Sequence, residues 1–290
     1  MYSLSPTTLT LTGQVIGNPC DGGDIRGLAT DPTTGDLILT GDCGVFRITD
    51  PNGAVPFFSE IIAGNFDAAN VLRRKGYTGP MAIFSVHGVD PDIYRPLPRA
   101  SPSSTFVIGY LGRLVMYKGV GLLIEALQGM PDHCRLRLVG SGQDERALRR
   151  IATERGVAER VEFVSAIATA DVPCALADMD VLAAPSLTQP NWKEQFGRVL
   201  IEAMACGIPV IGSASGEIPH VIGSAGMIVP EGDVEALRVG LLRLVNDAAM
   251  RERFSRAGRA RVQELFTQEQ VARKTVAVYH EALGHREARK

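Results

Sequence analysis

From Thr105 onward, short apolar runs alternate with longer stretches whose apolar residues recur at helical spacing, the pattern of βαβ units around a parallel sheet. The runs Thr105 to Leu111, Arg135 to Val139, Val161 to Val164, Val181 to Ala184 and Pro209 to Gly212 are the predicted strands. Each is followed by a loop, and an open α/β sheet binds its ligands at the carboxyl ends of its strands. Chemistry is therefore expected in those loops. Near the end, Thr267-Gln-Glu-Gln270 has the form of a capping box opening a last helix, with Val271, Val278 and Leu283 among its apolar positions.

The first 104 residues read differently. Residues 1–55 are rich in Thr, Gly and Asp, and short alternating runs at Asp36 to Thr40 and Gly44 to Ile48 predict β-hairpins. The stretch Gly27 to Gly41 resembles one repeat of a β-propeller blade, which alone cannot bury its faces. In residues 56–104, Asp67 to Lys75 has helical spacing with Gly76 as its stop, a strand is predicted at Met81 to Val86, and a Pro/Ser-rich stretch running to Ser104 reads as a linker. The expected division is 1–55, 56–104 and 105–290.

Composition narrows the functional classes. At 290 residues, with 45% hydrophobic and 21% charged positions, the chain can bury a large core. Thirty Lys and Arg against 32 Asp and Glu leave a net charge of −2, so nucleic acid is not expected as a partner. Cys20, Cys43, Cys134, Cys174 and Cys206 are scattered without a CxxC pair, which points to free thiols in a reducing cytoplasm. No apolar run reaches the roughly 18 residues of a spanning helix, and Met1 to Thr12 lacks the form of a signal peptide. The chain reads as soluble and cytoplasmic, with peripheral membrane contact left open.

Three clusters carry candidate chemistry. In Glu194-Gln-Phe-Gly-Arg-Val-Leu-Ile-Glu202 a glycine-containing loop enters a helix, so the amides of Phe196 and Gly197 would face the cleft from a positive helix N-terminus. Glu194 and Glu202, as acceptor-only carboxylates, suit the vicinal hydroxyls of a hexose and a ribose. The spacing equally fits an ordinary amphipathic helix with Glu194 as its cap and Glu202 in solvent. Gly109-Tyr-Leu-Gly-Arg-Leu-Val-Met-Tyr-Lys-Gly119 follows the first strand of the region; Arg113 offers a fork and Lys118 a point charge for a diphosphate. The alternative is a pair of surface cations. Gly140, Ser141 and Gly142 end the next strand in small residues that admit a ligand to the backbone, or simply make a tight turn.

Taken in order, Gly112 to Gly119, Val139-Gly-Ser-Gly142, Asp180-Val-Leu-Ala-Ala-Pro-Ser186, Glu194 to Glu202 and Gly216-Glu-Ile-Pro219 resemble the donor domain of glycosyltransferase family 4. The resemblance covers residues 105–290, and its Glu-x(7)-Glu motif is specific in this company. It implies a Rossmann-like parallel-sheet domain of the α/β GT-B fold, and retaining transfer of a hexosyl group from a UDP- or GDP-sugar to a glycan, glycolipid or small acceptor. No metal and no cofactor are implied. Arg113 and Lys118 would hold the diphosphate beside Gly112 and act with Glu194 in catalysis. Glu194 would contact the sugar with help from Phe196 and Gly197, Glu202 the ribose, and Gly140, Ser141 and Gly142 the base. The Gly88-Val-Asp90 segment, followed by an aromatic and Arg-Pro, is similar to the stretch that leaves the first domain in such enzymes.

Other features are set against this. Asp178-Met-Asp180 and Asp90-Pro-Asp92 fit an Asp-x-Asp metal-diphosphate pattern, but Asp180 opens a predicted buried strand and Asp90 lies in the linker, so both read as structural. His87, His133, His220, His280 and His285 show no metal spacing. Relatives carry a whole Rossmann domain before the linker, whereas residues 56–104 resemble only its end. A non-catalytic nucleotide-sugar-binding remnant, or an interaction module recruiting a partner through residues 1–55, therefore stands beside the enzyme reading.

Overall fold

The structure is a computed structural model describing residues 25–30, 37–41, 44–48, 61–99 and 104–287, with side chains from 61 to 99 and 104 to 281. It divides into two compact units, one ending at Val86 and rejoined by the chain from Arg273, the other His87–Ala272.

In the first unit, β1 (Ile25–Thr30), β2 (Leu37–Gly41) and β3 (Gly44–Ile48) form an antiparallel meander, with Ala29 opposite Ile38 and Leu39 opposite Phe46. The two runs expected as hairpin strands are its second and third members. Next, β4 (Ile61–Ala63), α1 (Phe66–Arg74) and β5 (Met81–Ile83) make a parallel βαβ step. Asn65 caps α1 by accepting from the Ala68 amide at 2.7 Å. The helix stops as predicted, the Gly76 amide closing on the Arg73 carbonyl. Ile61, Ala63, Ala69 and Leu72 form a small core.

The second unit holds six parallel strands: β6 (Phe106–Leu111), β7 (Cys134–Val139), β8 (Val161–Val164), β9 (Val181–Ala184), β10 (Val210–Ser213) and β11 (Met227–Val229). Their order across the sheet is β11-β10-β9-β6-β7-β8. The chain therefore builds outward from β6 in one direction, returns to β9 on its other side, and builds outward again. Between β6 and β9 the crossovers diverge, and in open α/β sheets such a switch point is where ligands bind, at the carboxyl ends of the strands. Strand alternation sends Phe106, Ile108, Tyr110, Val181 and Ala183 to one face and Val107, Leu182 and Ala184 to the other. The first face packs against α2 (Val120–Gln128), α3 (Glu145–Glu154) and α7 (Val234–Asn246). The second packs against α4 (Val172–Ala177), α5 (Arg198–Ala205), α6 (Ile218–Ile222) and α8 (Ala248–Leu265).

The sequence placed the domain border at residue 104, whereas the compact unit begins at His87. The cause is local stitching. The Val89 amide donates to Phe266, the Gln268 amide donates to Val89, and Arg99 pairs with Asp180 at 3.0 Å. The last helix, α9 (Gln268–Glu287), begins as its capping box predicts, with Thr267 Oγ1 accepting from the Gln270 amide at 3.1 Å. Val278 is buried, and the side chain of Leu283 lies outside the described residues. Among the described residues no helix is long and apolar enough to cross a membrane.

Candidate donor site at the sheet switch point

Three loops meet over the carboxyl ends of β6, β7 and β9, and their backbones interlock. The Gly112 amide donates to Val139, the Leu114 amide to Ser141 and the Gly140 amide to Val164. A Cβ on Gly140 would lie 1.9 Å from the Gly112 carbonyl oxygen, and its φ of +146° is strained for any side chain. Gly119 makes the matching contact across the switch point, where a Cβ would stand 1.8 Å from the carbonyl oxygen of Pro185. The small residues seen in sequence thus have a packing duty, and the same close approach leaves a backbone-lined surface around Gly140, Ser141 and Gly142.

On this frame the loop after β6 presents Arg113 and Lys118. Tyr110, at the end of the strand, donates to the Arg113 carbonyl at 2.7 Å. Burial, with the Glu194 charge adding to it, pushes that phenol far above its ordinary value, so Tyr110 remains a neutral donor. The Arg113 side chain is exposed and its guanidinium carbon lies 5.7 Å from the centre of the Tyr117 ring.

Lys118 and Glu194 come together. The Lys118 ammonium lies 2.6 Å from Glu194 Oε2, and the buried Ser186 hydroxyl donates to the same oxygen at 3.1 Å. Both side chains are mostly shielded from water, at 19% and 14% exposure, so solvent and salt screen their attraction less than in a surface ion pair. The Glu194 carbonyl accepts from the Glu217 amide at 3.0 Å, which fixes its backbone to the loop after β10. Glu194 does not cap α5. That position belongs to Gly197, and the Phe196 ring before it is buried against His87 and Phe266, leaving only backbone for a ligand.

Glu202 lies one and a half turns into α5 and is only 4% exposed, which excludes the solvated reading of this residue. Its Oε1 accepts from Tyr94 at 3.3 Å and from Arg198 at 2.9 Å, and neither of these contacts involves Oε2. Burial raises the Glu202 carboxyl above the usual glutamate value, although Arg198 and the Tyr94 hydrogen bond pull it down. Tyr94 in turn is pushed up to about 12 by its own burial and by the Glu202 charge.

The structure adds residues that the sequence did not single out: Tyr110, Ser186, Trp192 and Tyr94. Ser186 follows a predicted strand end, and Trp192 is the sole tryptophan, two residues before Glu194. Both were visible signals. In the two acidic pairs, Asp180 accepts from the Val107 amide at 2.7 Å and pairs with Arg99, while Asp90 closes a turn on the Asp92 amide. Among the described residues no group of three His, Cys, Asp or Glu side chains is arranged to hold a metal.

A pair of opposite charges at a Rossmann switch point is still generic. The decisive match is that of the family profile described as glycosyl transferases group 1, over residues 98–261. The chain belongs to this family. It is 38% identical over 167 residues to a GDP-mannose-dependent monoacylated alpha-(1-6)-phosphatidylinositol monomannoside mannosyltransferase of Corynebacterium glutamicum, covering 55% of this chain and 43% of that one. With a phosphatidyl-myo-inositol mannosyltransferase of Mycobacterium leprae it shares 33% over 236 residues, 78% and 59% of the two chains. The crystal structure of Anabaena HepE in complex with UDP superposes with a TM-score of 0.69 at 25% identity, covering 78% of this chain and 64% of that one. The chain spans about half the length of the curated relatives it matches. Its sheet is the Rossmann-like donor domain of the GT-B glycosyltransferases.

Proposed function

We propose that residues 87–272 bind the donor for retaining hexosyl transfer from a nucleoside-diphosphate sugar, without a metal. The observation that carries this reading is the meeting of Lys118 with Glu194 at the switch point, 2.6 Å apart and shielded from solvent. A sugar diphosphate needs both signs of charge in one place: cations for the phosphates, and an acceptor for the sugar hydroxyls beside them. Lys118 and the exposed Arg113 supply the first and offset charge growing on the leaving diphosphate. Glu194 supplies the second, Glu202 offers Oε2 to a ribose, and the surface from Gly140 to Gly142 flanks the base.

The relatives support a GDP- or UDP-linked donor and a glycolipid acceptor: the C. glutamicum enzyme is named for GDP-mannose and a phosphatidylinositol mannoside, and HepE was crystallised with UDP. Isothermal titration with GDP and UDP tests the donor half of the proposal, and transfer from radiolabelled GDP-mannose or UDP-glucose to lipid and glycan acceptors tests the other half. Micromolar binding lost in Arg113→Ala and Lys118→Ala is expected. Absence of binding to either diphosphate rejects the proposal, and binding without transfer across the panel reduces it to nucleotide-sugar binding alone.

A further inference from the structure

We propose that Trp192 is a positioning residue that sets Lys118 for a diphosphate, with Tyr117 doing the same for Arg113; this rests on the donor-site reading above. The loop that carries Trp192 is held by several independent contacts. Its own turn is closed at both ends, the Gln189 amide donating to Trp192 at 2.6 Å and the Trp192 amide to Gln189 at 3.2 Å, around Pro190 and Asn191. The loop before it is tied down twice. The Leu187 amide donates to the Tyr117 carbonyl at 2.8 Å, and both the amide and the hydroxyl of Thr188 donate to the Glu231 carboxylate. The ring then packs on Tyr117 with centroids 4.5 Å apart and planes inclined at 50°.

Each candidate phosphate-binding cation lies against one of these two rings. The Lys118 ammonium is 4.7 Å from the centre of Trp192, and the Arg113 guanidinium carbon 5.7 Å from the centre of Tyr117. An aromatic face attracts a cation through its quadrupole, so it restrains the side chain without cancelling its charge. A second carboxylate would place Lys118 equally well and would neutralise the charge that a phosphate must meet. The pair of rings therefore restrains both cations without adding a carboxylate to the one Lys118 already meets, Glu194.

Lys118 and Arg113 act on the diphosphate, so the rings should matter for a nucleoside diphosphate and little for a monophosphate. The test titrates the full chain, Trp192→Ala and Trp192→Phe with GDP, UDP, GMP and UMP by calorimetry. Expected is a loss of about five- to tenfold for the diphosphates in Trp192→Ala, under about twofold for the monophosphates, and recovery of most of the loss in Trp192→Phe. A second measurement uses the unaltered chain, whose tryptophan emission comes from this residue alone. Saturating diphosphate should change that emission as the ammonium shifts toward phosphate, and Lys118→Met at saturation should show no such change. Equal weakening toward mono- and diphosphates, or emission indifferent to bound diphosphate, overturns the role of Trp192 and leaves the donor site standing. An unaltered chain that binds none of the four nucleotides overturns both.

Discussion

The two halves of the parallel sheet build their loops by different means. On the side of β6, β7 and β8, the loops around Gly112, Gly140 and Gly142 are held by backbone pressed against backbone, and the duty falls on residues without side chains. Across the switch point the loops after β9, β10 and β11 share such a contact, Gly216 lying against the Glu194 carbonyl, and add polar side chains to it: Ser213 Oγ donates to the Ser186 carbonyl at 2.5 Å, and Thr188 shares a hydrogen bond with the buried Ser215 at 3.0 Å. Backbone packing tolerates no added atom and has no chemistry of its own. A side-chain network is more forgiving in packing and can be tuned in charge, and it is the half that delivers Glu194. The site lies where a rigid surface faces a charged one.

The sharpest break of this contrast is Gly140→Ala. Its Cβ would collide with a carbonyl oxygen that cannot swing aside, at a φ that disfavours any side chain, so a loss of about 3 kcal/mol or more is expected in urea denaturation. A wild-type midpoint would show that the glycine loops are not rigid. On the charged side, Glu194→Ala leaves the shielded Lys118 ammonium without its carboxylate, so a smaller loss of about 1–3 kcal/mol is expected, and under the proposed function the rate of hexosyl transfer should fall by about two to three orders of magnitude. Transfer at more than a tenth of the normal rate would remove Glu194 from the reacting centre.

Much of the sheet half of this picture was legible in the residues. Five of the six parallel strands fall within a residue or so of the predicted runs, because each is a short apolar stretch bounded by turn residues. The sixth, Met227–Val229, is only three residues long, lies at the sheet edge and leaves Ile228 exposed, so it carries no distinct pattern. Within the candidate site, Lys118 and Glu194 were legible as residue types but not as a pair, since 76 residues separate them and only the strand order brings their loops together. The contact between Tyr94 and Glu202 spans 108 residues, which is why the segment from His87 read as linker rather than as part of the donor unit. Glu194 and Glu202 look alike in sequence. One lies in a loop beside a cation, and the other is buried in a helix against a phenol.

That difference predicts opposite costs. Folding raises the Glu202 carboxyl, so the folded chain holds this proton more tightly than the unfolded chain does. Its contribution to stability is then fully present below the ordinary glutamate value of 4.5 and declines as pH rises through the raised one. Glu202→Gln keeps a partner for Tyr94 and removes the buried charge. The variant should melt higher than the unaltered chain near neutral pH, lose that pH dependence, and, if Glu202 has the ribose role proposed above, bind GDP or UDP more weakly. A lower melting temperature would mean that the pair with Arg198 outweighs desolvation.

The mildest test separates the two halves directly. Thr188→Val removes a hydroxyl that joins Ser215 to Glu231 and keeps the volume, for an expected loss of about 1 kcal/mol in global stability. If side chains hold this half of the site, hydrogen exchange should quicken at Leu187 and along the loop to Gln195, with no change at Gly140, whose amide bond to Val164 is secured by packing. Because Trp192 and Glu194 both belong to the loosened loop, diphosphate affinity should fall by less than it does in Trp192→Ala, and under the proposed function transfer should slow a few-fold. Faster exchange at Gly140 as well would mean that the glycine loops and the polar loops open together, and that the contact between Gly119 and Pro185 couples the two halves into one unit.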